Sequence, residues 1–225
     1  MKPILYALSA LLCIGLPGAP ATGAELTTDE QKTLYALGVA VGQSLGQFAL
    51  SESDLEIVLS GISDNVRKRP LQVDMQTFGP KLQQLAQARA AAVAEKEKEA
   101  GATYVAKAAA EPGASKTESG AIVQTLKEGN GPTPTAADTV KVHYHGTLVD
   151  GTVFDSSVDR GEPATFPLDG VIKCWTEGVQ KVKVGGKSRL VCPADTAYGD
   201  RGSPPVIKPG ATLIFEVELL EIVQQ

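Results

Sequence analysis

The chain has 225 residues, with 21 basic against 26 acidic side chains and a formal charge of −5, so it lacks the basic surface that a nucleic-acid partner requires. Its 43% hydrophobic content is too high for a disordered chain and too low for a multi-span membrane protein. Three cysteines exclude a disulfide-rich scaffold, and with only one Trp, five Tyr and five Phe the placement of the rings carries information.

In chain order, Met1-Lys2-Pro3 precedes an apolar run from Ile4 to Leu16, then Pro17-Gly18 and the small residues Ala19 to Ala24. A positive start, a short apolar core and Thr22-Gly23-Ala24 predict a signal peptide, residues 1–24, cleaved after Ala24. Leu11-Leu12 ahead of Cys13 lack the small residue of a lipoprotein site. Removal of this segment leaves Cys174 and Cys192 as the remaining cysteines, in an oxidising setting.

Residues 25–112 form a helical half. Thr27-Thr28-Asp29-Glu30 is a helix start, with a hydroxyl cap and acids in the first turn. Leu34, Leu37, Val41, Leu45 and Phe48 follow as one apolar stripe. Gly38, Gly42 and Gly46 recur every four residues on the same stretch, and a glycine costs about 1 kcal/mol per helix-interior position. Three in register point to close backbone approach, either within the monomer or across a homodimer interface. A second helix is predicted over Ser53–Arg69, ended by Pro70. A third starts near Val73, with Gly79-Pro80 as a kink or a late start. It runs through the Ala-rich stretch and Glu95-Lys96-Glu97-Lys98-Glu99, is weakened at Gly101 and stops at Glu111-Pro112-Gly113. The half contains no His, Cys or Trp, so its expected work is mechanical: a clamp, spacer or dimer arm.

Residues 113–225 have a different texture, with fourteen Gly and eight Pro between short alternating runs. Thr139 to His145 alternates, placing Val140, Val142 and Tyr144 on one face. Asp150-Gly151 is a hairpin turn before Val153-Phe154. Lys187–Cys192 and Ala211–Val217 are further strands, with Leu213, Phe215 and Val217 inward. Ile172, Trp175 and Val179 stand at helical spacing within Val171–Val182. The expected class is α+β: an antiparallel sheet over one short helix, preceded by an all-α region with a long connecting helix.

Five segments in this half resemble the FKBP family of peptidyl-prolyl cis-trans isomerases. They are Val142-His143-Tyr144-His145-Gly146-Thr147-Leu148, Asp150 to Ser157, Gly170 to Gly178, Ala197-Tyr198-Gly199 and Ala211 to Leu220. The match is ordered and covers roughly 120–223. The helical half, on its texture and on Tyr35-Ala36-Leu37-Gly38, resembles the N-terminal dimerisation region of the exported bacterial Mip/FkpA-like subgroup. The resemblance implies a proline pocket of Tyr144, Phe154, Trp175, Tyr198 and Phe215, with Trp175 as floor, Val171 and Ile172 beside it and Phe166 close by. It also implies that the Ile172 N–H and the Tyr198 hydroxyl hold substrate carbonyls, and that Asp155 faces the reacting carbonyl with Arg160 as its partner. Ala164 stands where many members carry a pocket aromatic, so one wall should be open and affinity for macrolides such as FK506 or rapamycin is left undecided. The loop Asp200–Ile207 should overhang the pocket.

No cofactor is implied, because rotation about a peptide bond breaks no covalent bond. The implied partners are proline-containing unfolded proteins and a second copy of the chain, and the implied location is the periplasm or cell envelope, with outer-membrane association open. Among single residues, His143 and His145 share a strand face and offer two metal ligands, against the simpler reading of a solvated face. Cys174 and Cys192 are either bridged or two packed thiols, and a Cys/His nucleophile is disfavoured by the strand position of Cys192. Two functions stand side by side: an exported isomerase, and a dimeric holdase in which the pocket matters little.

Overall fold

The computed structural model describes residues 25–223; the expected signal peptide lies outside the described residues. Two compact units divide between Ala40 and Val41, inside the first helix.

Helix α1 spans Asp29–Leu45. Its start is capped reciprocally: Thr28 Oγ1 accepts from the Gln31 N–H at 3.2 Å, while Gln31 Oε1 accepts from the Thr27 N–H at 2.8 Å. The predicted stripe overruns the helix, because Gly46–Phe48 tightens into a 3-10 turn ended by left-handed Ala49 at φ 44°. Leu34 and Leu37 are each 61% exposed. Among the described residues, a Cβ added at Gly38, Gly42 or Gly46 would meet nothing within 4 Å.

Helix α2 is Glu52–Val66, shorter than predicted at its C-terminus. Ser51 and Asp54 form a capping box at its start. Its stop is Lys68, left-handed at φ 55°, with the Arg69 N–H bonded back to Asp64 O at 2.9 Å. The helix has therefore ended before Pro70 is reached, and proline is not the terminator. Helix α3 runs unbroken from Met75 to Ala109, capped by the Asp74 carboxylate. Pro80 lies inside it without ending it. Arg89 joins α3 to the preceding turn and helix through Phe48 O, Ala49 O and Asp54 Oδ2, the last at 2.8 Å.

The remaining strands are β1 (Ala114–Lys116), β2 (Ile122–Lys127), β3 (Thr139–Leu148), β4 (Val153–Ser156), β5 (Ala164–Pro167), β6 (Lys187–Cys192) and β7 (Leu213–Val223). They pair antiparallel in the order β1-β2-β6-β7-β3-β4, with β5 on β3. Strands β1, β2 and β5 have no counterpart in the sequence-based reading, being short or half-exposed. The helix expected within Val171–Val182 contracts to α4, Lys173–Val179, with Ile172 as its N-cap. α4 packs on the concave sheet face, where Val140, Val142, Val179, Leu190, Leu213, Val217 and Leu219 are fully buried. Burial of each such side chain is worth about 1.5–3 kcal/mol. Cys174 of α4 and Cys192 of β6 are joined by a disulfide across this core, with their Cα atoms 5.6 Å apart.

Candidate active site

One cavity of about 750 Å³ opens between α4, the sheet and the loop after Tyr198. It brings together Tyr144, Phe154, Asp155, Phe166, Val171, Ile172, Trp175, Tyr198 and Phe215. Of the residues singled out from the sequence, Arg160 and Ala164 are not in its lining. Ala164 pairs with Val142 in the sheet and packs against the core.

The rings form a box around Trp175, which is 3% exposed. Its ring meets Tyr144, Phe166 and Phe215 edge to face, at centroid distances of 5.4, 5.5 and 5.3 Å. Tyr144–Phe166 (5.9 Å) and Phe154–Phe215 (5.4 Å) close the ring set in the same geometry. Such pairs contribute about 0.5–1.5 kcal/mol each beyond their buried area, which makes the walls stiff. Trp175 Nε1 is buried without a hydrogen-bond partner, at a general cost of about 1–3 kcal/mol.

Strict alternation along β4 would send Phe154 and Asp155 to opposite faces. The β3–β4 register instead passes from Gly146 opposite Asp155 to Thr147 opposite Val153, leaving Phe154 as the extra residue of a bulge. Both side chains consequently line the cavity. Gly146 makes room for this: a Cβ there would stand 2.7 Å from Phe154 Cζ. Ser157 then holds the wall from behind. Its fully buried Oγ accepts from the Tyr144 N–H at 2.8 Å, and its own N–H donates to Tyr144 O at 3.0 Å. The sequence signal for both residues was only their presence in quoted motifs.

Asp155 is the carboxylate of the site, and both of its oxygens are engaged. The Tyr144 hydroxyl donates to Oδ2 and the Arg160 guanidinium to Oδ1, while Arg160 also donates to the Tyr144 oxygen at 3.0 Å. Burial pushes the Asp155 carboxyl up, but the Tyr144 hydroxyl and Arg160 outweigh it and the net shift is downward. Burial, with the adjacent Asp155, raises the Tyr144 phenol. Asp155 thus stays charged and Tyr144 stays protonated near neutrality. Because the Arg160–Asp155 pair is nearly half exposed, its net worth is about 0–1 kcal/mol. The pair aims the groups; the rings hold the site.

Ile172 caps α4 with its carbonyl, which accepts from the Trp175 N–H at 2.9 Å and the Thr176 N–H at 3.1 Å. As a cap residue its own N–H stands outside the helical ladder. Thr176 Oγ1 bonds Leu168 O at 2.6 Å, and Glu177 accepts from the Ser119 N–H and Oγ, at 3.0 and 2.7 Å, fixing α4 against the loop before β2. Burial raises the Glu177 carboxyl, yet the Ser119 and Thr117 hydrogen bonds bring it down to about 2. The overhanging loop contributes Ser203, Pro204, Pro205, Val206 and Ile207 as the facing wall.

Both sulfurs of Cys174 and Cys192 are tied to each other, so neither is a thiolate nucleophile. His143 and His145 lie against Ser157 and Ser156, and no cluster of three or more candidate metal ligands occurs among the described residues.

Comparison with known proteins meets this geometry. A family model described as FKBP-type peptidyl-prolyl cis-trans isomerase matches residues 131–220, and one described as the domain amino terminal to it matches residues 30–123. The chain is 41% identical over 216 residues to the FKBP-type isomerase FkpA of Aeromonas hydrophila, covering 91% of this chain and 80% of that protein. It is 41% identical over 199 residues to the FKBP-type 22 kDa isomerase of Escherichia coli K12, covering 87% of this chain and 96% of that protein. The crystal structure of FkpA from Escherichia coli superimposes with a TM-score of 0.66 at 36% identity, covering 88% of this chain and 98% of that one. A peptidyl-prolyl cis-trans isomerase structure from Pseudomonas syringae gives 0.54 at 40% identity, covering 58% and 96%. An apolar box of rings around one charged carboxylate is thus found in a chain that belongs to the FKBP-type peptidyl-prolyl cis-trans isomerases.

Proposed function

We propose that the ring box is where the X–Pro bond turns, and that the observation carrying this is the convergence of six aromatic side chains and Asp155 on one cavity. Rotation faces a barrier of about 18–20 kcal/mol from amide resonance, while the cis and trans ends differ by only about 0.5–1 kcal/mol. A catalyst therefore needs to favour the twisted amide, which has lost resonance and is less polar than either planar end. Tyr144, Phe154, Phe166, Trp175 and Phe215 take the proline ring, with Val171 and Ile172 at its side. The Ile172 N–H and the Tyr198 hydroxyl receive the flanking carbonyls, and charged Asp155 faces the reacting carbonyl, oriented by Arg160. The ion pair of Asp155 excludes it from donating a proton, so its role is electrostatic.

The test is isomerisation of proline tetrapeptides and refolding of a proline-limited protein. Asp155→Asn and Tyr198→Phe should each lower kcat/KM by about tenfold, in line with the loss of one placed polar group. Unchanged rates in both variants would move the chemistry elsewhere.

A second activity is favoured by a separate observation. Leu34, Leu37, Ile57, Leu59 and Val66 are exposed, and the glycine ridge of α1 faces open space. These faces support a homodimer through residues 25–112, with residues 113–225 as the isomerase domain, and the separate family matches to residues 30–123 and 131–220 support a chain of two parts. Two linked isomerase domains would then hold one unfolded, proline-containing client bivalently as a chaperone. The signal-peptide pattern of residues 1–24 supports export to the periplasm or cell envelope. Light scattering reads the mass, and suppression of aggregation of a client without slow prolines reads the holding. Titration with FK506 or rapamycin reads whether the wall left low at Ala164 still admits a macrolide.

A further inference from the structure

The loop that forms the facing wall of the cavity is a closed unit. Its base is the Gly210 N–H to Gly199 O bond at 3.0 Å, and near its tip Ser203 and Ile207 exchange both backbone bonds. Every anchor that it and the following residues find on α3 lies on one face. Ala94, Glu97, Lys98 and Gly101 stand at i, i+3, i+4 and i+7, the spacing that aligns side chains along a helix. Lys98 pairs with Asp200 at the start of the loop, and Glu97 accepts from Lys208 Nζ at 3.0 Å near its end. Between and beyond these, two glycine backbones are met at close range. A Cβ on Gly210, which is at φ +75°, would lie 2.4 Å from Ala94 O, and one on Gly101 would lie 2.2 Å from Thr212 Oγ1. Ala94 and Gly101 are accordingly buried in a helix that is otherwise largely exposed.

The same wall has a second side. Pro204, Pro205 and Ile207 line the ring-box cavity and also a separate apolar cavity of about 790 Å³, whose far side is Ala86, Gln87, Ala90 and Val93 of α3. Pro204, Pro205 and Val206 at the tip are exposed, while Ile207, 7% exposed, packs into the core; the tip is held only through Ile207 and through the base of the loop.

We propose that this face of α3 is a latch that positions the loop over the proline site, so that discrimination between residues preceding the proline depends on Glu97 and Lys98 of the connecting helix. Both are positioning residues: they act through Lys208 and Asp200 and touch no substrate. The inference rests on the reading of the cavity as the isomerase site. It assigns the helix a part in specificity, beyond linking the two halves.

The test uses the full chain and two tetrapeptides that differ only in having leucine or alanine before proline. Glu97→Lys and Lys208→Glu are each made alone and together, and Lys98→Glu with Asp200→Lys provides an independent copy of the cycle. Each single reversal should change the Leu/Ala ratio of kcat/KM about threefold to fivefold, chiefly through KM, and should raise amide exchange in residues 200–209. Each double reversal should bring the ratio and the exchange back towards the parent. Circular dichroism identifies any variant that fails to fold, and the other cycle then decides. A ratio unchanged in the single variants, or one not restored in the doubles, overturns the latch. A parent chain no faster than buffer on either peptide overturns the isomerase site and the latch with it.

Discussion

Helices α1 and α2 contain no buried residue, whereas the sheet buries Val140, Val142, Leu190, Leu213, Val217 and Leu219 completely. Both regions have apolar periodicity. The helices are made by local signals: the Thr28–Gln31 exchange and the Ser51–Asp54 box satisfy end groups within four residues. Short helices gain most of their stability from packing rather than propensity. The apolar faces of α1 and α2 thus leave much of their possible stabilisation unused within the chain, while the sheet region closes its core with its own strands and α4. The contrast teaches that an apolar stripe in the sequence states that a face will be covered, not by what.

The largest expected effect is at the floor of the box. Trp175→Ala should destabilise the protein by about 3–5 kcal/mol and remove isomerase activity, measured by denaturant unfolding and a tetrapeptide assay. A loss below 1 kcal/mol would mean that the rings do not hold the site. The contrast itself is tested by making the same change in both regions. Leu190→Ala, in the core, should cost about 2–5 kcal/mol at any protein concentration. Leu59→Ala, 53% exposed, should cost a dilute protomer no more than about 0.5 kcal/mol, with any larger loss depending on concentration. Equal, concentration-independent losses at the two positions would erase the distinction.

Reduction of Cys174–Cys192, which closes a loop with a sequence separation of 18, should lower stability by about 3 kcal/mol. Melting temperatures with and without reductant decide this, and coincident melts would leave the bridge without weight in the core. The smallest effect is electrostatic. Glu177 has its carboxyl depressed from the ordinary 4.5 to about 2, so the unfolded chain binds the proton first. Its stabilisation is complete above pH 4.5 and is lost as the pH falls towards 2. Glu177→Gln should flatten that part of the acid-unfolding curve, and superimposable curves would deny Glu177 its role in tying α4 to Ser119.

Much of the site was legible because its chemistry is carried by rare residues. All six aromatics after residue 113 line the one cavity. The alternation of Val140, Val142 and Tyr144 and the helical spacing of Trp175 and Val179 also point inward without any fold in hand. What stayed hidden depends on contacts between distant segments. The bulge that turns both Phe154 and Asp155 into the cavity exists only in the pairing with β3. Ser157 matters because Tyr144 is beside it, and Arg89 because Phe48 and Asp54 are. Strands β1, β2 and β5 are too short or too exposed for a period to emerge. Neither Pro70 nor Pro80 sets a helix boundary: a left-handed Lys68 had already ended one helix, and the other starts ahead of its proline and continues through it.

Spacing and residue type over a few positions suffice for the first helix and its Thr28 cap, the inward face of β3, and the side chains able to build an apolar site. Contacts across the fold alone make Gly101, which locally weakens α3, the point where the helix meets Thr212, and bring Glu97 and Lys98, from a run of mixed charge, to the loop over the cavity. A local cost or an unremarkable charge acquires its meaning from the surface brought against it, and that surface lies about a hundred residues away along the chain.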